Sequence, residues 1–263
     1  MNDGWRVYRY GAQGLSGPFP DQLANEEPLE VRQRWQGTES PLGVLMRTPG
    51  ADWELLRGWL HAEGLTVPGE VPALHVHPEN HNLWWLDAPV PDDYAARLTS
   101  GACGICGSGS LERLMLRAEA LPPGPPLDPA WLASLPESLR SGQAGFSASG
   151  GLHGAALFRT SGEPLCLYED IGRHNAADKV VGWALNHPHL DRAQTVLVIS
   201  SRLGYEIAQK AVLAGIGAVV GVGAATTLAA QTAQVFGLVL CGFAREGRLT
   251  VYAGAERLTR ETE

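Results

Sequence analysis

From residue 150 onward the chain alternates two kinds of hydrophobic spacing. G-L-H-G-A-A-L-F-R and P-L-C-L-Y-E-D read as two strands joined by the turn T-S-G-E-P. Asn175 to Asn186 reads as a helix, with Ala177, Val180, Val181, Ala184 and Leu185 on one face. T-V-L-V-I-S is a fully apolar strand, Leu203 to Ala214 a helix, and A-V-V-G-V a strand. Thr226 to Phe236 is again helical, and L-V-L-C-G-F and L-T-V-Y-A are strands. Continuous apolar strands separated by helices predict a parallel or mixed sheet covered on both faces.

The first half is less regular. Residues up to Gly37 are polar and turn-rich, with E-E-P-L-E-V-R opening a short strand. P-L-G-V-L-M-R-T-P-G predicts a strand that ends in a Pro-Gly turn. The helix after it carries Trp53, Leu56, Trp59 and Leu60 at helical spacing and stops at Gly64. A-L-H-V-H and N-L-W-W-L are short strands. Five prolines between Pro122 and Pro129 can continue neither a helix nor a central strand, so residues 122–129 read as a linker. Asp128-Pro129 then opens a helix, with Asp as N-cap. The expected organisation is a smaller N-terminal α+β region (1–121), the linker, and an α/β domain (130–263).

Composition narrows the function classes. A net charge of −8, from 20 Lys+Arg against 28 Asp+Glu, argues against broad nucleic-acid backbone binding. No apolar run approaches the roughly 20 residues of a membrane span. The N-terminus lacks a signal-peptide pattern, and four cysteines suggest no disulfide framework, so a cytoplasmic location is expected.

Polar clusters fall where the predicted strands end. E-D-I-G-R-H-N, S-S-R-L-G-Y-E, G-A-A-T-T and A-R-E-G-R each follow an apolar strand. In open α/β sheets the carboxyl ends of strands are where ligands gather. Ser200, Ser201 and Thr226 precede helices, whose free N–H groups suit phosphate. Arg202, Arg245 and Arg248 offer forked donors to a diphosphate, and Asp170 or Glu169 an acceptor for a guanine edge or a ribose hydroxyl. Each alone is ordinary capping or solvation; together they point to a nucleotide-like ligand.

S-G-A-C-G-I-C-G-S-G-S, around Cys103 and Cys106, supplies half of a zinc site and no second half. Cys166 and Cys241 stand singly in apolar strands and read as small buried hydrophobes. His75, His77 and His81 in H-V-H-P-E-N-H read as strand-surface residues before metal ligands. The glycines disfavour the helix that a thioredoxin-like pair opens. A glycine-hinged thiol that swings between partners suits an atom carrier.

L-M-R-T-P-G, G-A-C-G-I-C-G, E-D-I-G-R-H-N-A-A-D-K-V-V-G, S-S-R-L-G-Y-E-I-A-Q-K-A and G-F-A-R-E-G-R, in that order, make the chain similar to the FdhD/NarQ family of formate dehydrogenase accessory sulfurtransferases. The resemblance implies a cytidine deaminase-like C-terminal fold. It implies a sulfur carrier that takes sulfur from a cysteine desulfurase and passes it to Mo-bis(molybdopterin guanine dinucleotide), for apo formate dehydrogenase. It places the persulfide on Cys103 with Cys106 as companion. The cofactor stretch it implies is Phe243, Ala244, Arg245, Glu246, Gly247 and Arg248, to which the strand-end reading adds Ser201 and Arg202. His174 is also placed at the cofactor: it stands one helical turn from Asp178, and the two either handle protons near the metal or only cap and brace that helix. A homodimer is the expectation, with no nucleic acid, membrane or intrinsic metal involved. The chain departs from the family in G-A-A-T-T-L-A, with Ala225 where proline is frequent, and in G-S-G-S, without the lysine that often follows the pair. A zinc deaminase needs H-x-E and then P-C-x-x-C, whereas the chain has H-G-A at His153 and its C-x-x-C earlier. The alternative reading is a non-catalytic cofactor-insertion chaperone with redox-sensing cysteines.

Overall fold

The structure is a computed structural model and describes residues 4–66, 70–91, 94, 114, 115 and 117–259. Its centre is a six-stranded mixed sheet of β7 (His153–Arg159), β8 (Pro164–Asp170), β9 (Thr195–Ile199), β10 (Ala218–Gly221), β11 (Val239–Arg245) and β12 (Arg248–Ala253). The spatial order is β12-β11-β10-β9-β7-β8, with β9, β10 and β11 parallel and the flanking pairs antiparallel. Every residue of β9 is buried, as its unbroken apolar run predicts.

Alternation along that strand divides the core. Val196 and Val198 face Leu132, Leu135 and Leu139 of α2 (Pro129–Gly142). Leu197 and Ile199 face α4 (Arg173–Leu185), α5 (Tyr205–Ala214) and α6 (Thr227–Phe236). The sheet is therefore covered on both faces. α2 begins where the sequence places it, with the Asp128 carboxylate accepting from Ala130 N–H at 2.9 Å. A short α3 (Ala144–Ser149) follows it.

The proline-rich segment lies against this layer: Leu121 N–H donates to Phe236 O, Leu127 N–H to Arg257 O, and Thr259 N–H to Leu127 O. Gly124 leaves room for the Arg257 guanidinium, which a Cβ there would meet.

The N-terminal part holds more strand than its polarity suggested. β1 (Trp5–Gly11) and β2 (Gly14–Asp21) form a two-stranded ribbon. β3 (Glu27–Trp35), β4 (Thr38–Arg47), β5 (Leu74–His77) and β6 (Asn80–Leu86) form a second sheet in the order β4-β3-β6-β5. Residues read as turns pair because cross-strand partners, not local hydrophobicity, hold a half-exposed strand. Gln36 and Gly37, both at positive φ, close the β3–β4 hairpin.

α1 (Asp52–Glu63) joins the two parts. Leu55, Leu56, Trp59 and Leu60 pack on Leu29, Val31 and Leu42 of the small sheet. Its other side crosses α4 at backbone contact. A Cβ on Gly58 would stand 2.7 Å from the carbonyl carbon of Asp178, and one on Gly182 2.7 Å from that of Glu54. Only glycine permits such an approach.

Among the described residues no helix is long and apolar enough to cross a membrane.

Candidate functional site

Because β8 runs parallel to β9, β10 and β11, the four polar clusters at their carboxyl ends share one rim, as the strand order requires. Backbone bonds lace the loops together. Ser200 N–H donates to Gly154 O at 3.0 Å, and Gly223 N–H to Ser201 O at 3.1 Å. Phe243 N–H donates to Gly223 O at 3.0 Å, and Thr226 N–H to Leu203 O at 3.0 Å. A Cβ on Gly242 would meet Gly223 O at 2.6 Å, so this glycine lets the two loops touch.

The A-R-E-G-R stretch forms the β11–β12 hairpin, with Arg245 opposite Arg248. Glu246 (φ 50°) and Gly247 (φ 72°) occupy the two positive-φ positions of its two-residue turn. Arg245 and Arg248 are exposed, and Arg248 reaches the Glu246 carboxylate at 3.0 Å. That pair is solvated and contributes little to stability, so the guanidinium is available to another anion. Ala244 is fully buried, whereas Phe243 takes φ 50° at a register irregularity and is 47% exposed. An aromatic residue in the left-handed region costs energy, and such strain clusters at ligand sites.

Ser201 is buried, its hydroxyl donating to Arg202 O at 3.1 Å, while the Arg202 side chain is exposed. Ser200 and Ser201 do not cap α5, as the sequence suggested. Leu203 is fully buried and bridges Ala225, which keeps the chain extended until Gly204. The Ser200 hydroxyl instead accepts from Gly154 N–H at 2.9 Å. Thr226 is a true cap of α6, accepting from Ala229 N–H at 3.3 Å.

The two acids expected to meet a ligand are used internally. Asp170 is fully buried and ion-paired with Lys179 at 2.8 Å. It also accepts from Thr48 N–H, Gly172 N–H and the Asn175 amide. Lys179 donates to Thr48 O, and Asn175 to Met46 O. The L-M-R-T-P-G and E-D-I-G-R-H-N segments are thus one polar lock between β4 and α4. Glu169 accepts from Gly145 N–H and Phe146 N–H at 2.8 and 2.7 Å and so fixes α3.

His174 pairs with Glu206 at 2.6 Å, and one turn deeper Asp178 pairs with Lys210 at 2.6 Å. The His174 hydrogen bond holds the Glu206 carboxyl below its usual range. Burial pushes the Asp178 carboxyl up to about 6, against the pull of Lys210. Asp178 therefore braces α4 on α5 and does not face the rim, whereas His174 is partly exposed at its edge.

Cys103 and Cys106 lie outside the described residues. Cys166 and Cys241 sit on β8 and β11, and burial raises both thiols to about 12, as inert core groups require. His75 approaches Asp87 at 3.3 Å and His77 packs on the Trp85 ring. Among the described residues no cluster of three metal-ligating side chains occurs.

One feature was not read from the sequence. A cleft of about 350 Å³ opens at the β7 end of the rim, between α2–α3 and the loops after β8 and β9. Gln143, Phe146, His153 and Ser200 line it. Gln143 and Phe146 carried no sequence signal, because only the fold-back of α3 onto Glu169 brings them to the rim.

A family model described as FdhD/NarQ family matches residues 24–259. A Nocardia farcinica protein named sulfur carrier protein FdhD is 43% identical over 250 residues, covering 90% of this chain and 88% of its own length. A namesake from Corynebacterium efficiens is 44% identical, covering 89% and 90%. In fold, the chain is similar to the crystal structure of a Desulfotalea psychrophila protein described as a formate dehydrogenase accessory protein, with a TM-score of 0.75, 20% identity, and 97% and 98% of the two chains covered. The ordered segments that build the rim and its lock, matched along almost the whole chain, place this protein in the FdhD/NarQ family.

Proposed function

We propose that the protein is a sulfur carrier serving formate dehydrogenase, which receives sulfur on Cys103 and delivers it to a molybdenum cofactor docked on the rim. The relatives named sulfur carrier proteins support the carrier role. The observation that carries the docking is the convergence of Arg202, Arg245, Arg248 and the strained Phe243 on one edge of the sheet, in a chain of net charge −8. The three-layer arrangement around parallel β9–β11 supports a cytidine deaminase-like reading of this half.

In the first step the Cys103 thiolate attacks the outer sulfur of a persulfide on a cysteine desulfurase. The desulfurase S–S bond breaks, its cysteine leaves as thiolate, and Cys103 becomes the persulfide. Release of that sulfur as sulfide requires two electrons. Attack of the Cys106 thiolate on Cys103 Sγ supplies them, leaving a Cys103–Cys106 disulfide that a dithiol reductant reopens. Molybdenum takes the sulfide as a ligand. The guanine-dinucleotide arms of bis(molybdopterin guanine dinucleotide) rest on the exposed guanidinium groups, and two arms suit a homodimer.

The test is intact-mass spectrometry after incubation with an active cysteine desulfurase and L-cysteine. Wild type gains one sulfur, +32 Da being roughly the mass of one sulfur atom, and Cys103→Ser gains none. An unmodified wild type sinks the transfer reading and leaves the insertion chaperone.

A further inference from the structure

The β1–β2 ribbon takes no part in the rim or its lock, and it lies ahead of the residues 24–259 that the family model matches. Among the described residues its only substantial packing is between its own two strands. Trp5, Tyr8, Tyr10 and Leu15 are 62–85% exposed. A lone two-stranded ribbon is marginally stable in water, and one that shows this much aromatic surface calls for a further strand.

The two edges of the ribbon differ. β2 carries Pro18, Pro20 and a bulge: while β1 goes from Val7 to Arg9, β2 spends one residue more, from Phe19 to Ser16. Prolines and bulges close an edge to further pairing. β1, W-R-V-Y-R-Y-G, is free of proline and rich in aromatic residues, as an open edge strand is. Pro20 has no N–H to exchange with Arg6, its cross-strand partner, so Arg6 turns its own N–H and C=O outward. By alternation Tyr8 and Tyr10 do the same, in agreement with the Gly11–Gly14 pair that closes the two-residue turn.

We propose that the β1 edge pairs antiparallel with β1 of a second copy, in a register centred on Tyr8, to form a four-stranded sheet β2-β1-β1-β2 about a two-fold axis. In this register the outward backbone groups of Arg6, Tyr8 and Tyr10 all find partners in the same three residues of the other copy. Arg6 stands beside the partner's Tyr10, guanidinium against ring, and Tyr8 beside the partner's Tyr8. Trp5 lies opposite the partner's Gly11, which leaves room for the indole, and Val7 opposite the partner's Arg9. Moving the axis to Arg6 or Arg9 would set arginine on arginine, and moving it to Val7 carries Tyr10 beyond the other strand. The exposed parts of Trp5, Tyr8 and Tyr10 come to about 400 Å² per copy, at roughly 200 Å² per side chain. With the backbone edge and the arginine stems, the pair reaches the lower end of specific interfaces, about 1,200 Å² in total, and so dissociates on dilution. The pairing does not depend on the sulfur-carrier reading.

The test is sedimentation velocity of the full-length protein over a concentration series. Wild type shifts from monomer to dimer as concentration rises. Tyr8→Pro removes the outward N–H at the axis from each copy while sparing the bonds to β2, and it raises the dimer dissociation constant by roughly tenfold or more. Tyr10→Arg sets arginine beside the partner's Arg6 and weakens the dimer as well. Adding Arg6→Glu to that variant turns the repulsion into an ion pair and restores the dimer. A wild type that stays monomeric throughout overturns the proposal. So does a dimer that neither Tyr8→Pro nor Tyr10→Arg weakens, which places the interface elsewhere on the chain. Failure of the double variant to regain the dimer overturns the register.

Discussion

The crossing of α1 and α4 gives a quantitative test of how the two parts of the molecule are joined. Gly58 sits on the Asp178 carbonyl and Gly182 on the Glu54 carbonyl, a reciprocal contact between antiparallel helices. A methyl group at either position meets backbone, which cannot rotate away, so the helices must separate by roughly 1 Å. Overpacking of this kind costs about 1–3 kcal/mol, and backbone neighbours put it at the upper end. Replacing a mid-helix glycine by alanine returns about 1 kcal/mol of helix propensity. The net loss for Gly58→Ala or Gly182→Ala is therefore about 2 kcal/mol. At roughly 2–4 °C per kcal/mol for a chain of this size, the melting temperature falls by about 4–8 °C. Once one methyl has parted the helices the second meets less resistance, so the double variant loses less than the sum. Thermal unfolding followed by circular dichroism measures all three. Unchanged or raised melting temperatures for both single variants refute the backbone contact. Strict additivity refutes the shared crossing.

Two further perturbations probe the rim and its support. Removing one partner of the buried Asp178–Lys210 pair, as in Lys210→Met, costs about 3–5 kcal/mol by leaving a buried charge unpaired, whereas Asp178→Leu with Lys210→Met is near neutral; urea unfolding of the two variants separates these outcomes, and an equally unstable double variant contradicts them. His153 is held below its ordinary 6.5 by burial, so the unfolded chain takes up the proton at a higher pH than the folded one. Stability is then lost as pH falls from about 6.5 toward the lower folded value. His153→Asn flattens that part of a melting-temperature profile measured from pH 5 to 8, and an unchanged slope counts against the buried neutral ring.

Much of the C-terminal sheet was legible because its signals are local. The β9 run T-V-L-V-I needs only period and apolarity to be a buried strand, and Asp128 and Thr226 announce helix starts through their own side chains. The shared rim also followed from sequence, since parallel strands with polar residues at their carboxyl ends must present those residues together. The β1–β2 ribbon was hidden because its stability lies in pairing between strands, with little apolar periodicity to betray it. Ser200 looked like a cap and became a support for β7 once buried Leu203 kept the chain extended past it.

Asp170 and Glu169 show the limit most clearly. Their types and position suit a ligand equally well, and only the three-dimensional arrangement reveals Lys179 and the Thr48 backbone around one, and the amides of α3 around the other. The sequence by itself determined the alternating elements of the C-terminal sheet, the polar residues at its strand ends and the family motifs, because these rest on neighbours in the chain. Tertiary structure alone decided which polar groups are spent on each other and which remain open. That depends on contacts between residues more than a hundred positions apart, such as Thr48 with Asp170, and on glycines such as Gly58 and Gly154 whose meaning is the atom that packs against them.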